Sequence, residues 1–238
     1  MTTQIQIEDI AVDVVLKDIK NVHLSVYPPT GRVRISAPAR MSLDTIRVFA
    51  VARLDWIRKQ QQKLREQQRE MPREYLDRES HFVWGERYLF GVNERDQAPA
   101  IELTHSHLIL TVRAGVDRLS KAAIVAQWYR DQIRTVAPGM IAKWEPVLGI
   151  RVNRLFVRQM KTRWGSCNTR RRTIRLNTEL AQKPKECLEY VVVHELVHLI
   201  EPTHNARFVA LMDRFMPQWP FIRQRLNRLP VRHADWEY

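Results

Sequence analysis

The stretch Tyr190–His204, YVVVHELVHLIEPTH, decides how we interpret the rest of the chain. It contains an H-E-x-x-H pattern formed by His194, Glu195 and His198. Residues four apart lie on the same face of an α-helix, so both imidazoles can reach one metal ion. The glutamate lies one step round the helix, where it can bind a water at the ion without ligating the metal itself.

A third histidine follows six residues later. Pro202 ends the helix because the residue before a proline is pushed out of the α region, and the chain can then bring His204 back to the ion. Three protein ligands and an open position are typical of a catalytic zinc site. Glu201 is the alternative third ligand, or else a hydrogen-bond partner of one imidazole.

The sequence around the motif predicts a buried helix. It is apolar nearly all round, through Val191, Val192, Val193, Leu196, Val197, Leu199 and Ile200. Buried polar side chains need partners, and a metal with its water supplies them. The alternative is a pair of hydrogen-bonded core histidines.

The composition limits the number of domains and the class of protein. The chain has 238 residues, of which 45% are hydrophobic and 27% charged, which is typical of one large or two small globular domains. We see no membrane-spanning run and no signal peptide, and therefore expect a cytoplasmic protein with no membrane partner. The two cysteines, Cys167 and Cys187, make no disulfide framework and should be reduced.

The net charge of +13 is compatible with two interpretations. It could attract an acidic partner such as nucleic acid or a nucleotide, or it could be a solvated basic surface with no specific ligand. The sequence leaves the oligomeric state open.

Residues 1–115 are predicted to form an N-terminal β-rich domain with one long helix. Alternating apolar residues on both sides of a Pro-Pro-Thr-Gly turn at 28–31 predict a hairpin. Ser42 is a plausible N-cap for a helix over 42–70. Four further strands are expected between His81 and Val112.

Residues 116–238 are predicted to form a zincin-like metallopeptidase domain, giving an α+β fold with helices packed on a small antiparallel sheet. A helix from Ser120 should be kinked or split at Pro138-Gly139 and end at Gly149. Strands near 155–157, 164–167 and 173–176 should form the sheet beside the motif helix.

An extended peptide can add to the edge of such a sheet through main-chain hydrogen bonds. We place the substrate along this edge, with substrate-binding residues Lys161, Arg163, Trp164, Gly165 and Ser166. Gly165 would allow another backbone to approach closely, or alternatively would mark a bulge.

Four blocks, MKTRWGSC at 160–167, IRLN at 174–177, YVVVHELVHL at 190–199 and His204 followed by Phe208, resemble the YgjP-like predicted zinc metallopeptidases, relatives of the SprT-like and WLM families. The N-terminal region is similar to theirs as well. The resemblance implies one zinc ion held by His194, His198 and His204, with Glu195 as the catalytic residue. The histidine spacing also equals that of metzincins, but Glu201 stands where those have glycine, so we exclude metzincin membership.

The favoured function is a zinc peptidase acting on a peptide or protein, with Glu195 as general base. Arg163, His233 and Tyr238 are candidates for stabilising the oxyanion. One alternative is a metal-dependent nucleoside triphosphate pyrophosphatase, as some family members are described, with phosphates held by residues 170–172 together with Lys161 and Arg163. Another is a DNA-associated protease or binding protein recruited by basic charge.

Overall fold

The computed structural model describes residues 2–27, 30–66, 73–160 and 163–229. These residues form two compact units, one made of the described residues up to 66 and the other of those from 73 onward. Helices and small sheets occupy separate stretches of the chain, so the expected α+β class is confirmed. None of the helices described is long and apolar enough to cross a membrane.

The first unit is a four-stranded sheet covered by two helices. The strands are β1 (Thr2–Ile7), β2 (Ile10–Lys17), β3 (His23–Tyr27) and β4 (Arg32–Pro38), in the order β1-β2-β4-β3. Strands β3 and β4 are antiparallel, which confirms the predicted hairpin, although Pro28 and Pro29 of its turn lie outside the described residues. Alternate residues of β2 and β4 are fully buried and form the core of this unit.

The predicted helix over 42–70 is two helices, α1 (Leu43–Val51) and α2 (Leu54–Glu66). Ser42 caps the first as expected, since its side chain accepts a hydrogen bond from the Thr45 backbone at 3.2 Å. The break follows a tightened turn in which Arg53 N–H bonds to the carbonyl of Ala50. The sequence has no glycine or proline there, so nothing in the pattern signals it. Residues 67–70 lie outside the described residues.

The second unit begins with another four-stranded sheet and one long helix. Its strands are β5 (Ser80–Val83), β6 (Glu86–Glu94), β7 (Ala100–Leu103) and β8 (His107–Val112), in the order β5-β6-β8-β7. Helix α3 (Arg118–Leu148) starts at the N-cap Asp117 and ends at Gly149 in the left-handed conformation, with φ 65°. It is not split at Pro138, contrary to one expectation.

This sheet belongs with the C-terminal half, which differs from the expected domains 1–115 and 116–238. Phe90 and Leu108 share one buried cluster with Ile133 of α3 and with residues of the motif helix. A β-sheet with one apolar face must cover it, and the helices of the second unit do so.

The last part of the chain surrounds the motif. Strands β9 (Arg154–Arg158), β10 (Gly165–Asn168) and β11 (Thr173–Asn177) form a sheet in the order β10-β11-β9. A short 3-10 helix (Thr178–Gln182) leads to α4 (Lys185–Val197), α5 (Ala206–Phe215) and α6 (Trp219–Arg228). The sheet is mixed rather than antiparallel, because β9 pairs in parallel with β11. Strand β10 pairs antiparallel with β11 and forms one edge.

Candidate metal centre

Helix α4 carries the H-E-x-x-H pattern and is buried nearly all round. The exposed fraction is at most 3% for its residues Val191, Val192, Val193, Leu196 and Val197. The helix begins directly after Pro184 and ends at Val197, with His198 as its C-cap. Sheet strands and the helices α3, α5 and α6 pack around it. The polar side chains of the motif must therefore find partners inside the protein.

The three predicted ligand histidines come together at the end of this helix. One ring nitrogen from each of His194, His198 and His204 lies within 4.8 Å of the other two. The closest pair is Nε2 of His204 and Nε2 of His194, at 3.0 Å. Within the described residues this is the one such cluster of histidine, cysteine or carboxylate side chains.

A tight turn returns the chain to the cluster. Leu199 N–H bonds to the carbonyl of Leu196 at 3.0 Å, and Ile200 N–H to that of Val197 at 2.9 Å, so the helix tightens before it stops. His204 then stands one residue before the N-cap of α5. The helix ends at Val197, four residues before the position expected from Pro202, and the chain then returns His204 to the cluster as predicted.

Glu201 contributes to this turn through its backbone. Its carbonyl oxygen lies 3.1 Å from Nδ1 of His198. Its carboxylate instead accepts hydrogen bonds from the backbone and hydroxyl of Thr203. The carboxylate is thus used locally, and it is not among the clustered ligand atoms.

These contacts leave the imidazoles ready to bind a cation. A hydrogen bond from Nδ1 of His198 to the Glu201 carbonyl leaves the Nε2 lone pair free for a metal. Burial, with the neighbouring His198 and His204, lowers the pKa of His194 to about 3. Burial also lowers the pKa of His198. Neutral imidazoles are the form that metals require, so this donor set fits a divalent ion.

Phe208 forms one wall of the cluster. Its ring centroid is 4.9 Å from that of His194, 4.7 Å from that of His198 and 4.8 Å from that of His204. The side chain is 2% exposed. The sequence predicts only that Phe208 packs inward, and its contact with all three imidazoles depends on the turn at 199–204.

Glu195 is held against the edge strand β10. Its exposed fraction is 4%, and a Cβ atom added at Gly165 would lie 2.6 Å from its Oε1. Burial raises the pKa of Glu195 to about 8, while the positive charge of Arg163 opposes the shift. The packing of α4 against β10 therefore leaves no room for a side chain at position 165.

The outward backbone groups of β10 can be assigned from its pairing. Asn177 N–H bonds to the carbonyl of Trp164 at 2.9 Å, and the register then pairs Gly165 with Leu176. Narrow and wide pairs alternate in antiparallel sheets, so Gly165 and Cys167 have N–H and C=O groups directed away from β11. The backbone N–H and C=O groups of these two residues can therefore form hydrogen bonds with an added strand.

A buried asparagine closes the loop between β9 and β10. The Asn177 side chain donates to the carbonyls of Met160 and Arg163 and accepts from the backbone N–H groups of Met160 and Glu179. It is 3% exposed. Asn177 therefore fixes the loop that leads into β10. The sequence reasoning missed this role, which no local pattern signals.

The remaining predicted residues are distributed as follows. Lys161, His233 and Tyr238 lie outside the described residues. Arg163 is exposed, and Ser166 is half-buried on the face of β10 opposite to Gly165.

Both cysteines are free, as expected. Burial raises the pKa of the Cys167 thiol to about 11 and that of the Cys187 thiol to about 11 as well.

No curated protein sequence matches the chain. Among solved structures, the metallopeptidase zymogen of Pyrococcus abyssi abylysin is similar with 21% identity and a TM-score of 0.36, over 40% of this chain and 98% of that one. The metallopeptidase zymogen of Methanocaldococcus jannaschii jannalysin gives 21% identity and a TM-score of 0.34, over 37% and 91%.

The family comparison covers most of the chain. The family model described as YgjP-like, metallopeptidase domain, matches residues 20–229, which include the described residues of the second unit, the first unit from residue 20 onward and the complete histidine cluster. The chain belongs to the YgjP-like metallopeptidase family.

Proposed function

We propose that the protein is a zinc-dependent peptidase in which His194, His198 and His204 hold the ion and Glu195 is the general base. The observation that carries the proposal is the convergence of three imidazole nitrogens within 4.8 Å beside a buried glutamate. Imidazole ligands suit zinc, and three of them leave a position for water or substrate.

The zinc ion and the side chains of the protein would have separate roles in the reaction. When bound, zinc would lower the pKa of a water towards about 7 and polarise the scissile carbonyl. Glu195 accepts a proton from the attacking water and delivers it to the leaving amine. A nearby dication favours the ionised form of this carboxyl group, against the burial that raises its pKa.

The substrate is a peptide or protein that lies along β10. Gly165 and Cys167 supply the backbone hydrogen bonds, and Trp164 and Ser166 flank them. Arg163 lies in the loop that Asn177 closes, and this loop would hold it beside the scissile bond. Arg163 already influences the Glu195 carboxylate electrostatically, which makes it the candidate for stabilising the oxyanion.

Metal analysis combined with peptide cleavage tests the proposal. Wild-type protein should bind about one equivalent of zinc, and His194→Ala should lose it, since a catalytic site has only three protein ligands. His107→Ala is the matched control, because this histidine is exposed on β8 and outside the cluster. A His107→Ala variant that loses zinc together with His194→Ala would point to an indirect effect.

Catalysis is tested separately with Glu195→Gln. This variant should keep its zinc and lose cleavage of a peptide library by about 10²- to 10⁴-fold. Full activity in this variant would remove the general-base role. Release of pyrophosphate from nucleoside triphosphates by a wild-type protein that cleaves no peptide would favour the pyrophosphatase alternative.

A further inference from the structure

The segment that builds the β9–β11 sheet is strongly cationic. Residues 149–177 include nine arginines and lysines and no aspartate or glutamate. All three strands of the sheet come from this segment. One face of the sheet packs into the core through Leu155, Val157, Ile174 and Leu176. The positive charge must therefore be displayed on the other face and on the turns.

An aromatic ring lies at the centre of that outer face. Phe156 is paired with Arg175 across β9 and β11, and Arg154 and Arg158 are two residues away along β9. Their guanidinium carbons lie 5.0 Å (Arg154), 5.9 Å (Arg158) and 5.6 Å (Arg175) from the Phe156 ring centroid. Phe156 is only partly buried, so the cluster faces solvent.

The charges of this cluster are not neutralised by the described part of the chain. None of the three guanidinium groups forms a hydrogen bond or an ion pair with a described residue. By contrast, exposed arginines elsewhere do pair, as Arg113 does with Asp96 at 2.9 Å. Like charges held around one ring repel each other unless an anion joins them.

We infer that this outer face, which we call the Arg–Phe face, binds single-stranded nucleic acid. Guanidinium groups bind phosphate, and their planes, like the Phe156 ring, offer stacking surfaces to bases. An acidic peptide could pair with the guanidinium charges, but it has no bases to stack on these flat surfaces. The residues from 154 to 158 also span on the order of 13 Å of strand, which suits several successive phosphates better than one nucleotide.

This inference does not depend on the peptidase proposal. The Arg–Phe face consists of the side of β9 and β11 opposite to α4, and none of its residues belongs to the histidine cluster. Binding can therefore be measured whether or not the protein cleaves peptides, and its variants should retain zinc.

The test is fluorescence anisotropy with labelled 20-nucleotide oligo(dT) and oligo(U) between 50 and 300 mM NaCl. The variant Arg154→Gln/Arg158→Gln/Arg175→Gln should bind at least about tenfold more weakly. The slope of log K against log salt should fall by about two, at roughly 0.7 per lost phosphate contact. The full chain is used throughout, and circular dichroism verifies folding. The two oligonucleotides distinguish DNA from RNA.

A control with the same loss of charge decides between a site and general attraction. The triple glutamine variant at Arg87, Arg95 and Arg113 removes three exposed arginines from the β5–β8 sheet region. It should bind nearly as well as wild type. Equal losses in the two triple variants, or no binding by wild type, would overturn the inference.

Two further measurements keep the inference falsifiable if the first variant misfolds. Phe156→Leu should weaken binding roughly five- to a hundredfold with an unchanged salt slope, since it removes stacking and no charge. The single variant Arg154→Gln changes one exposed side chain and should weaken binding measurably. Displacement of the oligonucleotide by poly-glutamate or by free nucleoside triphosphate at equal charge concentration would assign the face to those ligands and contradict the inference.

Discussion

Replacement of Gly165 by alanine tests the packing of Glu195, the proposed general base, directly. The new Cβ atom would lie 2.6 Å from Oε1 of Glu195, 2.8 Å from Cγ1 of Val191 and 2.9 Å from Cγ of Glu195. All three distances are below van der Waals contact, so either the glutamate must move or β10 must separate from α4. The position carries no backbone strain in the left-handed region, so the effect is steric alone.

The magnitude follows from these overlaps. Overpacking of a buried site typically costs about 1–3 kcal/mol of the free energy of unfolding. Displacement of a catalytic group by about 1 Å can reduce turnover by about 10²-fold. We therefore expect Gly165→Ala to be destabilised by about 1–3 kcal/mol and to lose most peptidase activity while it retains zinc.

Denaturant unfolding of the metal-free protein measures the first quantity, and peptide cleavage by the zinc-loaded protein measures the second. Gly91→Ala is the matched control in strand β6, where the nearest atom to an added Cβ is Cγ1 of Ile109 at 4.0 Å. It should unfold and cleave like wild type. If Gly165→Ala behaves like Gly91→Ala, the packing argument is wrong.

Three other predictions concern the metal, the buried carboxyl group and the loop. His204→Ala should bind zinc far more weakly than wild type by titration with a competing chelator, because one of three ligands is lost. In metal-free protein, the pKa of Glu195 is about 8 folded against 4.5 unfolded. Relative to Glu195→Gln, wild type should therefore be most stable below pH 4.5 and lose up to about 5 kcal/mol as pH rises through 8, measured by denaturant unfolding. A pH-independent difference would contradict this. Asn177→Ala should be destabilised by about 1–3 kcal/mol in the same assay, since the backbone carbonyls of Met160 and Arg163 lose the side chain that donates to them. A value near zero would contradict this and would mean that water replaces the amide.

The histidine cluster could be predicted because its information is local. The spacing of His194 and His198 and the turn that contains Pro202 are properties of a few neighbouring residues. The capping role of Ser42 is equally local, and it is confirmed. Short-range steric and hydrogen-bonding rules act within one or two turns, so a sequence displays them directly.

The features that escaped prediction depend on contacts between distant residues. The β5–β8 sheet joins the C-terminal helices because Phe90 and Ile133 belong to one buried core, and the sequence near residue 115 does not indicate this. The sequence likewise does not indicate that β9 pairs in parallel with β11, because the sequences of these short strands look alike. The contact between Gly165 and Glu195 joins residues thirty positions apart, so the glycine could be noticed but its reason could not.

The end of helix α4 has an electrostatic consequence for any ion held there. His198 is the C-cap, so the three imidazoles surround the carbonyl end of the helix. The peptide dipoles of a helix sum to about half a negative charge at this end. A cation at the cluster would therefore gain on the order of 1 kcal/mol from the backbone alone. The same dipoles would act against an anion of similar size at this place.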